Sequence, residues 1–207
     1  MRYHKIPDET VRRLPVYLRG LVFYSEKGLK NISSHDLAKL VAVNPWQIRK
    51  DFSYFGDFGT PGVGYDIHKL IKEISRILKL DGGHRAALVG VGNLGAALLA
   101  YGGFEVFGFE IAAAFDIAEH KIGQRVHGVE IEDAARIATL GERGIGLGII
   151  AVPRTAAQGI AEEFVSAGIR GILNFSPVHI DVPKKVKVIT IDIAMDLARL
   201  PYYMPAG

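Results

Sequence analysis

Cysteine is absent from the 207 residues. That excludes disulfides, thiolate metal sites and cysteine nucleophiles. Histidine is sparse and scattered, with seven residues and no metal-ligand spacing among them. No long apolar run is free of turn residues. Ala86–Phe104 carries no charge, but it contains Gly90, Gly92, Gly95, Gly102, Gly103 and Asn93, so it reads as strand, glycine turn and helix rather than as a membrane span. An apolar leader is also missing, because Met1–Asp8 is polar and basic. The expectation is a soluble cytoplasmic protein that makes no use of a membrane.

What is present is globular. Apolar residues make up 49% and charged residues 23%, a balance that argues against disorder. The length suits one large domain or two small ones. The net charge of +3 hides an asymmetry. Residues 1–84 hold 14 Lys and Arg against 9 Asp and Glu, while residues 85–207 hold 11 against 13. Only the first part is suited to a polyanion.

That first part reads as helices and a glycine-rich wing. Leu14, Leu18, Leu21 and Val22 share one face of a first helix, with Pro15 inside it or restarting it and Gly28 as its stop. Ser33 or Ser34 caps a short second helix with Leu37, Leu40 and Val41 apolar. Asn44-Pro45-Trp46-Gln47 then opens a third, with Asn44 as N-cap, Pro45 in the first position and Gln47 able to close a capping box. Two short helices joined by a tight turn suggest a helix-turn-helix.

The third helix, Pro45–Phe55, places Ile48, Phe52 and Phe55 within roughly 60° of one another at about 100° per residue. The opposite face carries Trp46, Lys50 and Ser53, flanked by Arg49 and Tyr54. Basic and hydroxyl groups on a free face suit phosphates and base edges, although a plain amphipathic helix also shows some. Gly56–Tyr65 has four glycines in ten residues, which suits a β-hairpin with Thr60 and Gly62 at its tip. Asp66 caps a long helix bearing Ile67, Leu70, Ile71, Ile74, Ile77 and Leu78, and Asp81-Gly82-Gly83 ends it. The expected domains are a winged helix over 1–83, a nucleotide-binding domain over 84–193, and a short C-terminal helix and tail over 194–207.

In the second part, the strand Arg85–Val89 runs into Gly90-Val91-Gly92-Asn93-Leu94-Gly95 and then a helical run, Ala96–Tyr101. This is Gly-x-Gly-x-x-Gly in its strand–turn–helix setting, the pattern that lets a dinucleotide pyrophosphate approach backbone. A second strand around Phe107–Phe115 ends at Asp116, 21 residues after Gly95. An acid there accepts from ribose hydroxyls and repels a 2′-phosphate, which favours NAD(H) over NADP(H). Helix Glu132–Leu140, strand Gly146–Val152, a helix capped by Thr155 and ended by Gly168, and strands Gly171–Phe175 and Val186–Ile191 continue the alternation. This is an α/β doubly wound parallel sheet. Its C-terminal edge collects Gly90, Asp116, Val152, Pro153, Asn174 and Phe175.

Catalytic residues are not evident. Tyr65 and Lys69 form a Tyr-x-x-x-Lys, but outside the nucleotide fold. Three functions stay open on the residues alone. They are a nucleotide-responsive DNA-binding protein, a small NAD-dependent oxidoreductase with an N-terminal cap, and a nucleotide or CoA scaffold.

The whole chain resembles the Rex family of redox-sensing transcriptional repressors. The resemblance rests on Arg12–Pro15, Gln47–Gly56, Gly62–Tyr65, the Gly90–Gly95 motif, Phe115-Asp116, Lys121–Gly123 and Ala167–Pro177. It implies a homodimer that binds a palindromic operator as double-stranded DNA and is released by NADH, with NAD(H) as effector and no catalysis. It implies major-groove contacts from Arg49 and Lys50. It also implies a polar trio, Arg19, Tyr101 and Asp192, that links nucleotide state to the winged helix. Relatives often carry a basic wing residue where this chain has Thr60-Pro61, and some have an aromatic where it has Ile193. The C-terminal helix that the family exchanges between subunits is short here and meets Pro201.

Overall fold

The computed structural model describes residues 6–56, 58–60 and 62–204. The chain divides into two compact units, Met1–Asp81 and Gly82–Gly207.

The first unit runs α1 (Asp8–Glu26), β1 (Asn31–Ile32), α2 (Ser34–Val41), α3 (Pro45–Ser53), β2 (Gly59–Thr60), β3 (Gly64–Asp66) and α4 (Ile67–Ile77). Asp8 and Glu9 occupy the first turn of α1, where the helix dipole favours acids, and Pro15 lies inside this single helix. The Ser33 side chain caps α2, Asn44 caps α3 with Pro45 at its start, and Asp66 caps α4. The α2–α3 pair is a helix-turn-helix. β1, β3 and β2 form a small antiparallel sheet whose β2–β3 hairpin is the wing. Leu14, Leu18 and Leu21 of α1, Leu37 of α2, Ile48 and Phe52 of α3, and Leu70 and Ile74 of α4 are buried together. Phe52 sits at the centre, edge-on to Tyr17, Phe58 and Tyr65 at ring distances of 5.4, 6.1 and 5.2 Å. α4 ends at Ile77 rather than at Asp81, because Lys79 turns left-handed.

The second unit runs β4 (His84–Val89), α5 (Asn93–Leu99), β5 (Phe109–Asp116), β6 (Arg125–Val126), β7 (Val129–Asp133), β8 (Leu147–Ile150), α6 (Arg154–Ser166), β9 (Gly171–Asn174), β10 (Lys187–Thr190) and α7 (Ile193–Arg199). The strand order is β10-β9-β8-β4-β5-β7-β6. All neighbours are parallel except the β6–β7 hairpin. The order reverses between β4 and β8, which is the topological switch point of a Rossmann sheet. α6 packs Ala157, Ala161 and Phe164 into the core on one face. Leu98 and Leu99 of α5 pack near Ala86, Leu88 and Ile149 on the other.

Two local expectations give way in the second unit. Glu132 and Asp133 belong to strand β7, because Ile131 is buried against β5 at Ala114, and only Ala134–Leu140 is helical, as 3-10 turns. Thr155 is inside α6, and Pro153 takes the cap position instead.

Candidate functional site

At the switch point, Gly90 has φ +94, a conformation that side-chain-bearing residues rarely adopt. A Cβ on Gly95 would collide with the Gly90 carbonyl oxygen, so helix and turn need a glycine there to pack. Gly92 is different. A Cβ on it would meet nothing within 4 Å, so no internal contact accounts for a glycine. Gly92, Asn93 and Leu94 are exposed at the start of α5. The backbone beside Gly92 is therefore open to approach from outside.

Asp116 ends β5 beside this turn and is buried. Its Oδ2 accepts from the Val91 N–H at 2.9 Å and from Lys121 Nζ at 3.0 Å, and its Oδ1 accepts from the Ala118 N–H at 3.0 Å. Burial pushes the carboxyl up, but these donors outweigh it and hold the group below the usual carboxylate range. The acid is therefore ionised and fixed in direction.

Along the same edge, Asn174 departs from the expected role. Its side chain is fully buried and aimed inward. Nδ2 lies 3.0 Å from the Ser176 carbonyl, 3.1 Å from the Val178 carbonyl and 3.2 Å from Thr190 Oγ1, while Oδ1 accepts from the Ser176 N–H. Ser176 Oγ in turn donates to the Val152 carbonyl at 2.5 Å. Asn174 thus shapes the loop between β9 and β10, and its side chain is not offered to a ligand. Phe175 packs with the apolar face that includes Leu88, and Pro153 is exposed at the start of α6. Tyr101 is exposed, edge-on to Phe104 at 5.2 Å. Asp192 caps α7 by accepting from Ala194 and Met195 N–H groups. Arg19 lies on the exposed side of α1.

In the first unit, a groove of about 530 Å³ runs between α3 and the wing, lined by Ser34, Arg49, Ser53, Thr60, Gly62 and Tyr65 among others. Arg49 Nη1 donates to Ser34 Oγ at 2.8 Å. Trp46 and Lys50 stand on the outer face of α3, with Lys50 Nζ 5.0 Å from the indole centroid. The Ser53 hydroxyl donates back to the Lys50 carbonyl, and Tyr54 is half-buried. The Ser33 hydroxyl is taken up by Asp36. Thr60 is exposed on the wing, and Pro61 lies outside the described residues. Gln47 neither closes a capping box nor faces outward. Its Nε2 donates to Asp51 Oδ1 at 2.8 Å.

Asp51 is a feature that the sequence reading missed. It is fully buried in α3 and accepts from Arg13 Nε at 2.6 Å, Arg13 Nη2 at 2.8 Å, Tyr17 Oη at 2.6 Å and Thr10 Oγ1 at 3.0 Å, besides Gln47. Burial pushes its carboxyl up, but these donors dominate and set it at about 2. The sequence carries only part of the signal. Asp51 follows Lys50 and precedes Phe52, on the core side of the helix, where a carboxylate needs partners.

Comparisons with known proteins bear on both units. Residues 5–53 match a family model described as putative DNA-binding protein N-terminus, and residues 82–178 match one described as CoA binding domain. The redox-sensing transcriptional repressor Rex of Desulfitobacterium hafniense is 44% identical over 203 residues, covering 98% of this chain and 97% of that protein. The Rex of Streptomyces coelicolor is 41% identical over 203 residues, covering 98% and 79%.

The chain belongs to the Rex family. Among solved structures, the repressor RSP in complex with β-NAD⁺ and operator DNA aligns with a TM-score of 0.89 at 33% identity, over 97% of this chain and 93% of that one. RSP in complex with β-NADH aligns at 0.86 and 32%. The Rex assignment agrees with the winged helix and Rossmann sheet seen here. Tyr65 of the Tyr-x-x-x-Lys pair is buried edge-on to Phe52 in the first unit, outside the nucleotide fold. No helix among the described residues is long and apolar enough to cross a membrane.

Proposed function

We infer that this Rex-family chain represses transcription by binding operator DNA, that NADH releases it, and that NAD(H) is an effector rather than a hydride donor. It is not an enzyme. The observation that carries this is one chain joining a helix-turn-helix with a basic outer face to a dinucleotide fold, at 33% identity to a repressor solved with operator DNA and β-NAD⁺ together.

Residues 1–83 are the DNA-binding domain, 84–193 the nucleotide domain and 194–207 a C-terminal arm. Arg49 and Lys50 contact DNA, with Trp46, Ser53 and Ser34 beside them. On the nucleotide side, Gly92 and the start of α5 receive the pyrophosphate. Asp116 Oδ1 has acceptor capacity left beyond the Ala118 N–H for a ribose hydroxyl. Its charge repels a 2′-phosphate, which favours NAD(H). The protein works in the cytoplasm, where its DNA is.

The active form is a homodimer on a palindromic site. Support comes from Ile193 and the C-terminal arm that follows it, in which Met195, Leu197, Leu200, Tyr202 and Tyr203, like Ile193, are 55–87% exposed. Burying each such side chain is worth about 1.5–3 kcal/mol, so an unpartnered set is costly. The sheet face opposite α6 leaves an apolar hollow of about 300 Å³ beside Phe104, Phe109, Ile111, Leu147, Leu173 and Ile189. A partner's arm is a chemical match for it. Arg19, Tyr101 and Asp192 act as the polar link between nucleotide state and the winged helix.

A gel shift on promoter fragments from the host genome, with and without NADH, tests the function. Retarded fragments that NADH frees are expected. Retardation unaffected by NADH, or none at all, would overturn it.

A further inference from the structure

We propose that Trp46 reads thymine in the operator, by seating the 5-methyl group of the base against its indole face. The inference rests on the DNA-binding reading above and goes beyond it to a base and an atom.

The chain contains one tryptophan, and α3 holds it 58% exposed rather than in a core. Its backbone is fixed by the helix cap, because the Trp46 N–H donates to Asn44 Oδ1 at 2.8 Å and Pro45 precedes it in the first turn. Side chains on a helix tilt toward its N-terminus. Those near the N-terminus of a recognition helix are the ones that reach base edges. Ile48 and Phe52 are buried, and at about 100° per residue Trp46, Lys50 and Ser53 fall on one stripe of the opposite face.

The indole has one donor, Nε1–H, and is otherwise apolar. The major-groove edges of the four bases present donors and acceptors, and the one methyl group among them is the thymine 5-methyl. A flat apolar side chain at this place therefore has its largest apolar complement there. Lys50 Nζ lies 5.0 Å from the ring centroid, so the indole also steers the ammonium beside it. Lys50 supplies charge, and Trp46 supplies discrimination.

The test uses the full-length protein. A duplex is first selected from a random pool by the wild type. Each of its thymines is then replaced singly by deoxyuridine, which removes the methyl and leaves base pairing intact. At one or more thymines per half-site the wild type should lose about fourfold in affinity, the value of one buried methyl-sized group. Trp46→Ala should change less than about twofold at those same thymines, because the methyl has lost its partner. Trp46→Phe should retain most of the discrimination. Lys50→Ala should bind more weakly but still discriminate. Trp46 is exposed, so these variants are not expected to unfold. A wild type that binds but ignores every deoxyuridine overturns the inference alone, as does an equal loss in Trp46→Ala. A wild type that selects no duplex overturns the DNA-binding reading and this inference with it.

Discussion

The Arg13 guanidinium on α1 grips the Asp51 carboxylate on α3 at two points, Nε to Oδ2 at 2.6 Å and Nη2 to Oδ1 at 2.8 Å. Paired forks of this kind fix direction as well as distance. Tyr17 and Thr10, also on α1, close on the same carboxylate. The outer face of α3 carries Trp46 and Lys50, so the helix proposed to meet DNA is pinned to α1 from behind.

Removing Asp51 should therefore cost stability. Asp51→Ala leaves a half-buried guanidinium without its partner, and breaking a buried pair from one side costs about 3–5 kcal/mol. Urea denaturation followed by circular dichroism measures it. A loss below about 1 kcal/mol would place the pair among weak surface bridges.

The same carboxylate sets an acid limit. In the folded chain it titrates at about 2, against about 3.9 when unfolded. As pH falls, the unfolded state takes up its proton first. The contribution, about 2–3 kcal/mol, is fully present above about pH 5 and lost between about pH 4 and 2. Denaturation curves across that window should fall more steeply for the wild type than for Asp51→Asn, which has no proton to take up there.

How much of this was legible in the sequence depends on how local each signal is. Asn44, Pro45 and Asp66 announce helix starts within a few residues, and they are found where expected. Gly90–Gly95 and Asp116 announce a nucleotide fold because strand, turn and acid follow in order. Asp51 was not legible in the same way, since its main partner is 38 residues away and its neighbours Arg49 and Lys50 make it look like one more surface charge. Gln47 was misplaced with it. Val129–Asp133 was hidden because the alanines after it read as helix, whereas its burial depends on pairing with β5. Asn174 looked like a ligand group at a strand end, and only the Ser176 and Val178 carbonyls reveal its inward task.

Asp116→Ala should weaken NADH binding by roughly ten- to a hundredfold, the value of one hydrogen bond to a charged group. It should also narrow the preference over NADPH, because the charge that repels a 2′-phosphate is gone and Lys121 loses the carboxylate it now pairs with at 3.0 Å. Calorimetry with both nucleotides measures this. Unchanged NADH affinity would remove Asp116 from the site.

Lys50→Ala and Arg49→Ala should weaken DNA binding and leave NADH binding intact. If Lys50 contacts a phosphate, its removal lowers the salt dependence of binding by about one unit of slope. Titrations at several salt concentrations decide it, and unchanged affinity in both variants would move the interface away from α3.

Asp192→Asn separates capping from switching. Asparagine caps a helix about as well as aspartate, so α7 should keep its start while the charge disappears. The expected result is normal stability with a reduced effect of NADH on operator affinity. Full retention of that effect would exclude the Asp192 charge from the link.

The most direct measurement of the central claim is reciprocal. Coupling between two ligands is one free energy, so whatever NADH does to DNA affinity, DNA must do to NADH affinity. Operator binding is measured by fluorescence anisotropy with and without saturating NADH, and NADH binding by calorimetry with and without saturating operator. Both ratios should show weakening by the same factor, about 5- to 150-fold. Ratios of one in both directions, with each ligand still bound, would contradict a nucleotide-controlled repressor.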